Sequence, residues 1–250
     1  MHPQIYEDIY RAELIHWWFC GRRNIVTSLL RRFASKSRPL RVADVGCGMG
    51  ANLETLGEFG WVVGLDSSAT ALGFSRQRGF PRLLAAALPS LPFPDAKFDI
   101  VCALDVIEHI DDDTAAVREL WRVCKPGGLL VVTVPAYEWL WSEHDDVNEH
   151  QRRYTRPLLR KRLTLPGGEV VRLSYMNTLF ALPVMLFRLA RRFGGKKKST
   201  PDDLKSDVFP LPRLLNTILA FLFSLEAVWL RYACLPFGIS LICILRKHEC

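Results

Sequence analysis

The residues best placed to do chemistry are the glycines at 46, 48 and 50 and the acids at 44 and 66. An apolar run over 40–45 reads as a short buried strand, and it breaks into those glycines before helix-forming residues resume at Asn52. Glycines so spaced admit positive φ and present bare backbone, so a nucleotide-type ligand can lie against main-chain N–H groups where strand gives way to helix. Asp44, inside the strand end, can orient the loop or accept hydrogen bonds from a cationic ligand group. Asp66 closes the next apolar run, Trp61-Val62-Val63-Gly64-Leu65, where a carboxylate can accept both hydroxyls of a ribose. Gly46, Gly48 and Ala51 also satisfy the dinucleotide fingerprint in its alanine-ending form, so these residues alone leave the choice of cofactor open.

The elements that must position this loop alternate. Helical spacing covers 5–19, ending in His16-Trp17-Trp18-Phe19, and a further helix covers 22–33. After the strand at 40–45 come a helix over 51–58, a strand at 61–65, a helix capped by Ser67-Ser68, and a weak strand at 83–87. A strand at 98–104, a helix with an acidic N-terminus at 111–114 and a strand at 129–134 follow. Near-continuous apolar strands alternating with helices predict a parallel sheet covered on both faces. A helix over 155–163 and a strand at 170–175 come next.

Composition limits the partners. There are 33 basic against 26 acidic residues, a net charge of +7. The basic residues cluster at 22–23, 31–32, 152–153, 160–162, 191–192 and 196–198, which suits phosphate, nucleic acid or an anionic membrane face as well as a solvated surface. These clusters are split along the chain with no recognisable reading module, so no nucleic acid is expected as a partner. The 7 cysteines are scattered, and indicate neither a disulfide frame nor a metal site. Residues 1–11 lack an apolar core of signal-peptide length, so a cytoplasmic setting is expected.

Five blocks then resemble the class I S-adenosylmethionine-dependent methyltransferases, in particular the group sharing the methyltransferase-11 and methyltransferase-23 pattern. They are Val42 to Gly50, Val63 to Ser68, Leu91-Pro92-Phe93-Pro94-Asp95 with Phe98-Asp99, Leu104-Asp105-Val106-Ile107-Glu108-His109-Ile110, and Lys125-Pro126-Gly127-Gly128. A dehydrogenase would have no reason to reproduce the later four. The resemblance covers 40–135 and implies S-adenosyl-L-methionine as cofactor. By it, Asp44, Gly46, Cys47, Gly48 and Gly50 hold the methionine end, Asp66 and Ser67 the ribose side, and Leu104 and Asp105 face the methyl group. Ala87 and Leu88 would flank the adenine, although Ala87 stands where the family often has an acid. The leader 16–23 resembles that of a bacterial subset, implying a lid with Trp17 against the cofactor; members of that subset are often associated with cell-envelope or polysaccharide assembly.

The fold so implied is α/β: a Rossmann-like seven-stranded, mostly parallel sheet with helices on both faces. Its antiparallel last strand falls at 239–245, and a helical insertion separates strands six and seven. The chain is read as one domain, with 1–38 as aromatic lid and helix, 39–135 as cofactor-binding core, 136–168 as substrate-side segment and 176–236 as insertion.

Methyl transfer from a sulfonium is an in-line displacement that chiefly needs alignment and exclusion of water. A hydroxyl acceptor would be helped by a base, and His144, His150 and Asp105 are the candidates, histidine having an unperturbed pKa of ~6.5. Arg152, Arg153 and Tyr154 could hold an anionic acceptor, or could equally serve as structural hydrogen-bonders. The run 214–230 is short of the ~20 apolar residues of a span and is interrupted by Asn216 and Glu226. With 178–189 it suits a helix pair lying on an anionic membrane, peripheral to its inner face; a dimer face or an enlarged core gives the same pattern. The leading expectation is a methyltransferase of a hydroxyl or carbon on a lipid, quinone or lipid-linked saccharide. A soluble small-molecule acceptor, or a non-enzymatic cofactor-binding scaffold, are the alternatives.

Overall fold

A computed structural model of the chain describes residues 3–37, 39–193 and 211–248. The expected basic loop at 196–198 and the side chains of Arg191 and Arg192 lie outside the described residues. Seven strands, β1 (Leu40–Val45), β2 (Gly60–Asp66), β3 (Leu83–Ala85), β4 (Phe98–Leu104), β5 (Cys124–Pro135), β6 (Gly168–Met176) and β7 (Ser240–Lys247), form one sheet ordered β3-β2-β1-β4-β5-β7-β6. β1 to β5 pair in parallel, and β7 runs antiparallel to both β5 and β6.

The central strands alternate between two cores. Ala43, Val45, Val101, Ala103, Leu130, Val132, Leu241 and Cys243 face one cluster, whereas Val42, Ile100, Cys102, Leu129, Val131, Ile242 and Ile244 face the other. Residues apolar at every position are what a sheet buried on both sides requires. The helices are α1 (Pro3–Ile15), α2 (Trp17–Phe33), α3 (Leu53–Gly57), α4 (Ala69–Gln77), α5 (Asp113–Val123), α6 (Glu143–Val147), α7 (Arg156–Arg162), α8 (Ala181–Phe193) and α9 (Arg213–Leu230). Ser68, Asp112 and Thr155 cap α4, α5 and α7, each side chain accepting from a backbone N–H three residues on.

The structure moves several expected boundaries. The opening helix breaks at His16, whose extended backbone (φ −67°, ψ 133°) and side chain cap a new helix, so Trp17 begins α2 instead of closing α1. The loop after β1 persists to Asn52, and β3 stops at Ala85. β5 begins at Cys124 and takes in Pro126, Gly127 and Gly128, because Cys124 pairs with Phe98 across a register shift.

α9 packs along α2 on the second core. Gly21 permits the approach: a Cβ there would lie 2.1 Å from Phe223 Cδ1. The buried side of α9 holds Phe223, Glu226, Ala227 and Leu230. Glu226 accepts three backbone N–H bonds, from Asn177 (2.7 Å), Thr178 (2.7 Å) and Leu179 (3.0 Å), and so ties α9 to the turn after β6. Glu226→Ala would leave those donors without their acceptor, at ~1–3 kcal/mol for a buried one. A loss on the order of 3 kcal/mol is therefore expected in urea unfolding, with Glu226→Gln losing less because one acceptor oxygen remains.

Candidate active site

The carboxyl ends of β1, β2 and β4 lie side by side, with Val45 opposite Leu65 and Asp44 opposite Cys102. Strand order reverses between β1 and β4, and open α/β sheets hold ligands at such a crevice. A cleft of about 220 Å³ opens there, lined by Val45, Gly46, Asp66, Ser67, Ala86, Ala87, Leu88, Asp105, Val106, His109 and Ile110.

Gly46, Gly48 and Gly50 have φ of +74°, +54° and +83°. A Cβ on Gly46 would sit 2.4 Å from Val106 Cγ2, whereas one on Gly48 would meet nothing nearer than Glu13 Oε1 at 4.0 Å. The loop therefore needs its left-handed turns and leaves the peptide plane at Gly48 open. Asp66 shapes this loop: its Oδ2 accepts from Gly48 N (2.9 Å) and its Oδ1 from Ser68 N (2.8 Å). A carboxylate has about four acceptor sites, so Asp66, part-exposed at the cleft, retains capacity for ligand hydroxyls.

Asp44 is fully buried, and among the described residues neither carboxylate oxygen has a hydrogen-bond partner. Burial pushes its pKa up to about 7, with Arg22 opposing and Asp66 and Glu13 reinforcing the rise. An orphaned carboxyl beside an open glycine loop calls for a cationic donor. That is the fit an S-adenosyl-L-methionine ammonium requires.

Two residues that sequence reasoning did not single out complete this end. Glu13 of α1 pairs with Arg78 at 3.1 Å, and Arg78 also donates to Met49 O (2.7 Å) and Tyr10 O (2.7 Å). Burial raises Glu13 to about 7 against the pull of Arg78, Arg22 and Arg23. Arg22 of α2 is buried, stacks 4.5 Å over the Trp18 ring and donates to Asp105 Oδ2. The signal available was Trp18 with Arg22 at i, i+4 spacing, which puts both on one helix face.

Residues 43–132 match the family described as methyltransferase domain. Over those residues the chain is a methyltransferase domain. It is 35% identical over 126 residues to a protein of Mycobacterium tuberculosis named as a probable S-adenosylmethionine-dependent methyltransferase, covering 49% of this chain and 44% of the relative. It is 31% identical over 128 residues to 2-methyl-6-phytyl-1,4-hydroquinone methyltransferase of Synechocystis, covering 49% and 38%. The chain spans about half the length of the curated relatives it matches. In fold it is similar to the methyltransferase solved in complex with the Trm112 methyltransferase activator of Haloferax volcanii, with a TM-score of 0.62 at 19% identity, covering 99% and 96% of the two chains.

The methyltransferase domain gathers Asp44, Gly46, Cys47, Gly48, Gly50, Asp66, Ser67, Ala87, Leu88 and Leu104 around the strand ends, but it turns other expected residues elsewhere. Trp17 does not line the cleft: its ring packs on Phe180 (4.9 Å) and Phe223 (5.8 Å), and its backbone N–H donates to Asn216 Oδ1 (2.8 Å). The helix break at His16 is what rotates it toward α9. Asp105 does line the cleft, at a φ of +58°, yet its carboxylate is held by Arg22 and by Thr133 Oγ1 at 3.0 Å, which makes it a fixed anion and a poor proton acceptor.

The expected acceptor residues turn inward. Arg153 is buried in a two-pronged pair with Asp145 (2.8 and 2.9 Å) and donates to Ala136 O. Tyr154 is buried with its hydroxyl donating to Asp113 (2.9 Å), and Arg152 donates to Ile110 O (2.5 Å) and Asp111 O (2.9 Å). None of the three lines the cleft. His144 lies on α6, with its side chain outside the described residues. His150 Nδ1 is held 2.8 Å from Asp145 Oδ1, and His109 stands between it and the cleft, their ring centroids 4.7 Å apart. Burial alone would raise Asp145, but hydrogen bonds from His150 and Arg153 hold it well below the usual carboxylate range.

Burial lowers His109 to about 4, so it is neutral at pH 7, and raises Glu108 to about 8. Asp44, Glu13 and Glu108 thus keep protons that their unfolded counterparts release near pH 4 to 5. The stabilisation that comes with a raised folded pKa is complete below the unfolded value and fades as pH climbs through the folded one. The domain's Tm is expected to fall between about pH 6.5 and 8.5, above the range in which His109 titrates, with a shallower slope in Asp44→Asn. A Tm rising across that interval would contradict the assignment.

Proposed function

We propose that this chain transfers a methyl group from S-adenosyl-L-methionine to a hydroxyl or carbon of a lipid, quinone or lipid-linked saccharide at an anionic membrane surface. The observation that carries the cofactor is the partnerless, buried carboxylate of Asp44 beside the open plane of Gly48. When bound, the cofactor supplies a methyl group already activated by its sulfonium charge. Asp44 and the 46–50 backbone receive the amino-acid end, Asp66 the ribose hydroxyls, and Ala86, Ala87 and Leu88 flank the base. The salt bridge between Glu13 and Arg78 keeps α1 over the loop as a lid that excludes water. Arg22 fixes Asp105 at the floor, so the site aligns its reactants without a strong base.

The acceptor class follows from α9. Leu214, Ile218, Phe221, Leu225, Val228 and Trp229 are exposed at helical spacing opposite the face docked on α2. By length and composition α9 is apolar enough to cross a membrane. Its inner face, however, is packed against α2, and the strands that flank the α8 and α9 insertion, β6 and β7, pair in one sheet, which supports a helix lying along a surface over one passing through it. Arg213 and Arg231 at its ends suit anionic headgroups. A phytyl hydroquinone methyltransferase among the relatives is consistent with an acceptor carrying an apolar tail.

Calorimetry should record heat with S-adenosyl-L-methionine, none after Asp66→Ala, and none with a nicotinamide dinucleotide; the reverse pattern would overturn the cofactor. In flotation, the purified chain should rise with vesicles containing anionic lipid and, in a Phe221→Glu, Trp229→Glu variant, stay at the bottom. A wild-type chain indifferent to vesicles and dimeric in size-exclusion chromatography would replace the membrane by a second copy of this chain, and the acceptor by a soluble one.

A further inference from the structure

Glu108, His109 and His150 each bring one ligating atom to within 4.8 Å of the other two. Glu108 is fully buried, and among the described residues neither of its carboxylate oxygens has a hydrogen-bond partner. A carboxyl buried without a hydrogen-bond partner is unfavourable, and a metal ion at its oxygens would supply the missing contact. His109 lines the cleft, which gives the cluster an opening to solvent. We propose that Glu108, His109 and His150 bind one divalent metal ion, with Zn²⁺ the best chemical match, at the end of the cleft remote from the glycine loop.

The donor set is two imidazoles and one carboxylate, which is the composition of zinc sites that keep a fourth position for water or substrate. The outer contacts are those of metal-ligating histidines. His150 Nδ1 is held by Asp145 at 2.8 Å, and Asp145 is itself fixed by Arg153 and by Ser142 N (2.8 Å). Such contacts fix the tautomer and orientation of a ligand. Gln151 N donates to Glu108 O at 2.8 Å and keeps the two segments in register. Ligands ~2.0–2.2 Å from a tetrahedral zinc sit ~3.5 Å apart, so the three side chains need only close in by rotation.

The inference departs from the expectation of no metal, which rested on cysteine spacing alone. Binding itself does not depend on the methyltransferase reading; only the consequence does, that an ion here would polarise an acceptor hydroxyl in place of a base. The test uses the purified full chain, stripped with a chelator and titrated with ZnCl₂ by calorimetry, and with CoCl₂ by visible absorption. One equivalent of Zn²⁺ should bind, weakened at least tenfold in His109→Ala and in His150→Ala, and about 10–100-fold in Asp145→Asn, whose residue is only an outer contact. The wild-type Co²⁺ spectrum should show nitrogen and oxygen ligation with no thiolate charge-transfer band, a readout that needs no variant to fold. The proposal falls if the wild type takes up no Zn²⁺ below about 100 μM, if uptake is unchanged in the double histidine variant, or if the spectrum reports cysteine ligation. Zn²⁺ uptake without heat from S-adenosyl-L-methionine would sink the cofactor assignment and leave this site standing, and the converse would do the opposite.

Discussion

The cleft depends on one buried cation. The Arg22 guanidinium lies among Asp105, Asp44, Glu13 and Glu108, and burial lowers its pKa only to about 10, so it stays charged. Several carboxyls crowd the strand ends, where burial raises Asp44, Glu13 and Glu108, and the fixed positive charge of Arg22 opposes that rise in all three. Arg22 in turn is positioned from behind. α2 carries it, Trp18 stacks on it, and α9 presses α2 onto the sheet through the Gly21 and Phe223 contact. The insertion, far from the cleft in sequence, therefore supports the charge balance inside it.

Those parts of the fold governed by local backbone rules were legible in the sequence. Apolar strand runs, the positive φ demanded at Gly46 and Gly48, and the caps at Ser68 and Asp112 are properties of a few adjacent residues, and the sheet followed from them. The candidate site was legible to the same depth: Asp44, the glycine loop and Asp66 meet at the strand ends. What was not legible was direction. Whether Trp17 or Arg22 reaches the cleft is set by the helix break at His16, a single extended residue that re-phases everything after it. The role of Arg153 stayed open in the sequence for a similar reason, since an arginine fork satisfies an internal carboxylate as readily as a ligand's, and its partner Asp145 lies on a different turn of the chain.

The polar residues of α9 illustrate how an interruption in an apolar run acquires meaning only in three dimensions. Asn216 accepts from Trp17 N and donates to Ile15 O, at the joint between α1 and α2. Glu226 accepts the three N–H groups that follow β6. Both side chains point to the protein side, which leaves the other side of the helix uniformly apolar. In sequence they looked like arguments about membrane crossing; in the fold they are the attachments that decide which face is left outward.

The two ends of the cleft are built on different principles. Around the glycine loop, α1 is tied down by side chains from distant segments, chiefly Arg78 gripping Glu13 and Tyr10 O, contacts that can part together without disturbing the sheet. At the far end, the segment after β5 is woven into the core. Tyr137 N donates to Tyr154 O, Tyr154 N to Pro135 O, and the Tyr154 hydroxyl to Asp113 at the start of α5. Arg153 closes the weave on Asp145, which holds His150 in turn. The far end is therefore held by main-chain and buried contacts, whereas the loop end is held by a few side chains, so less of the core has to shift when α1 moves than when the segment after β5 does.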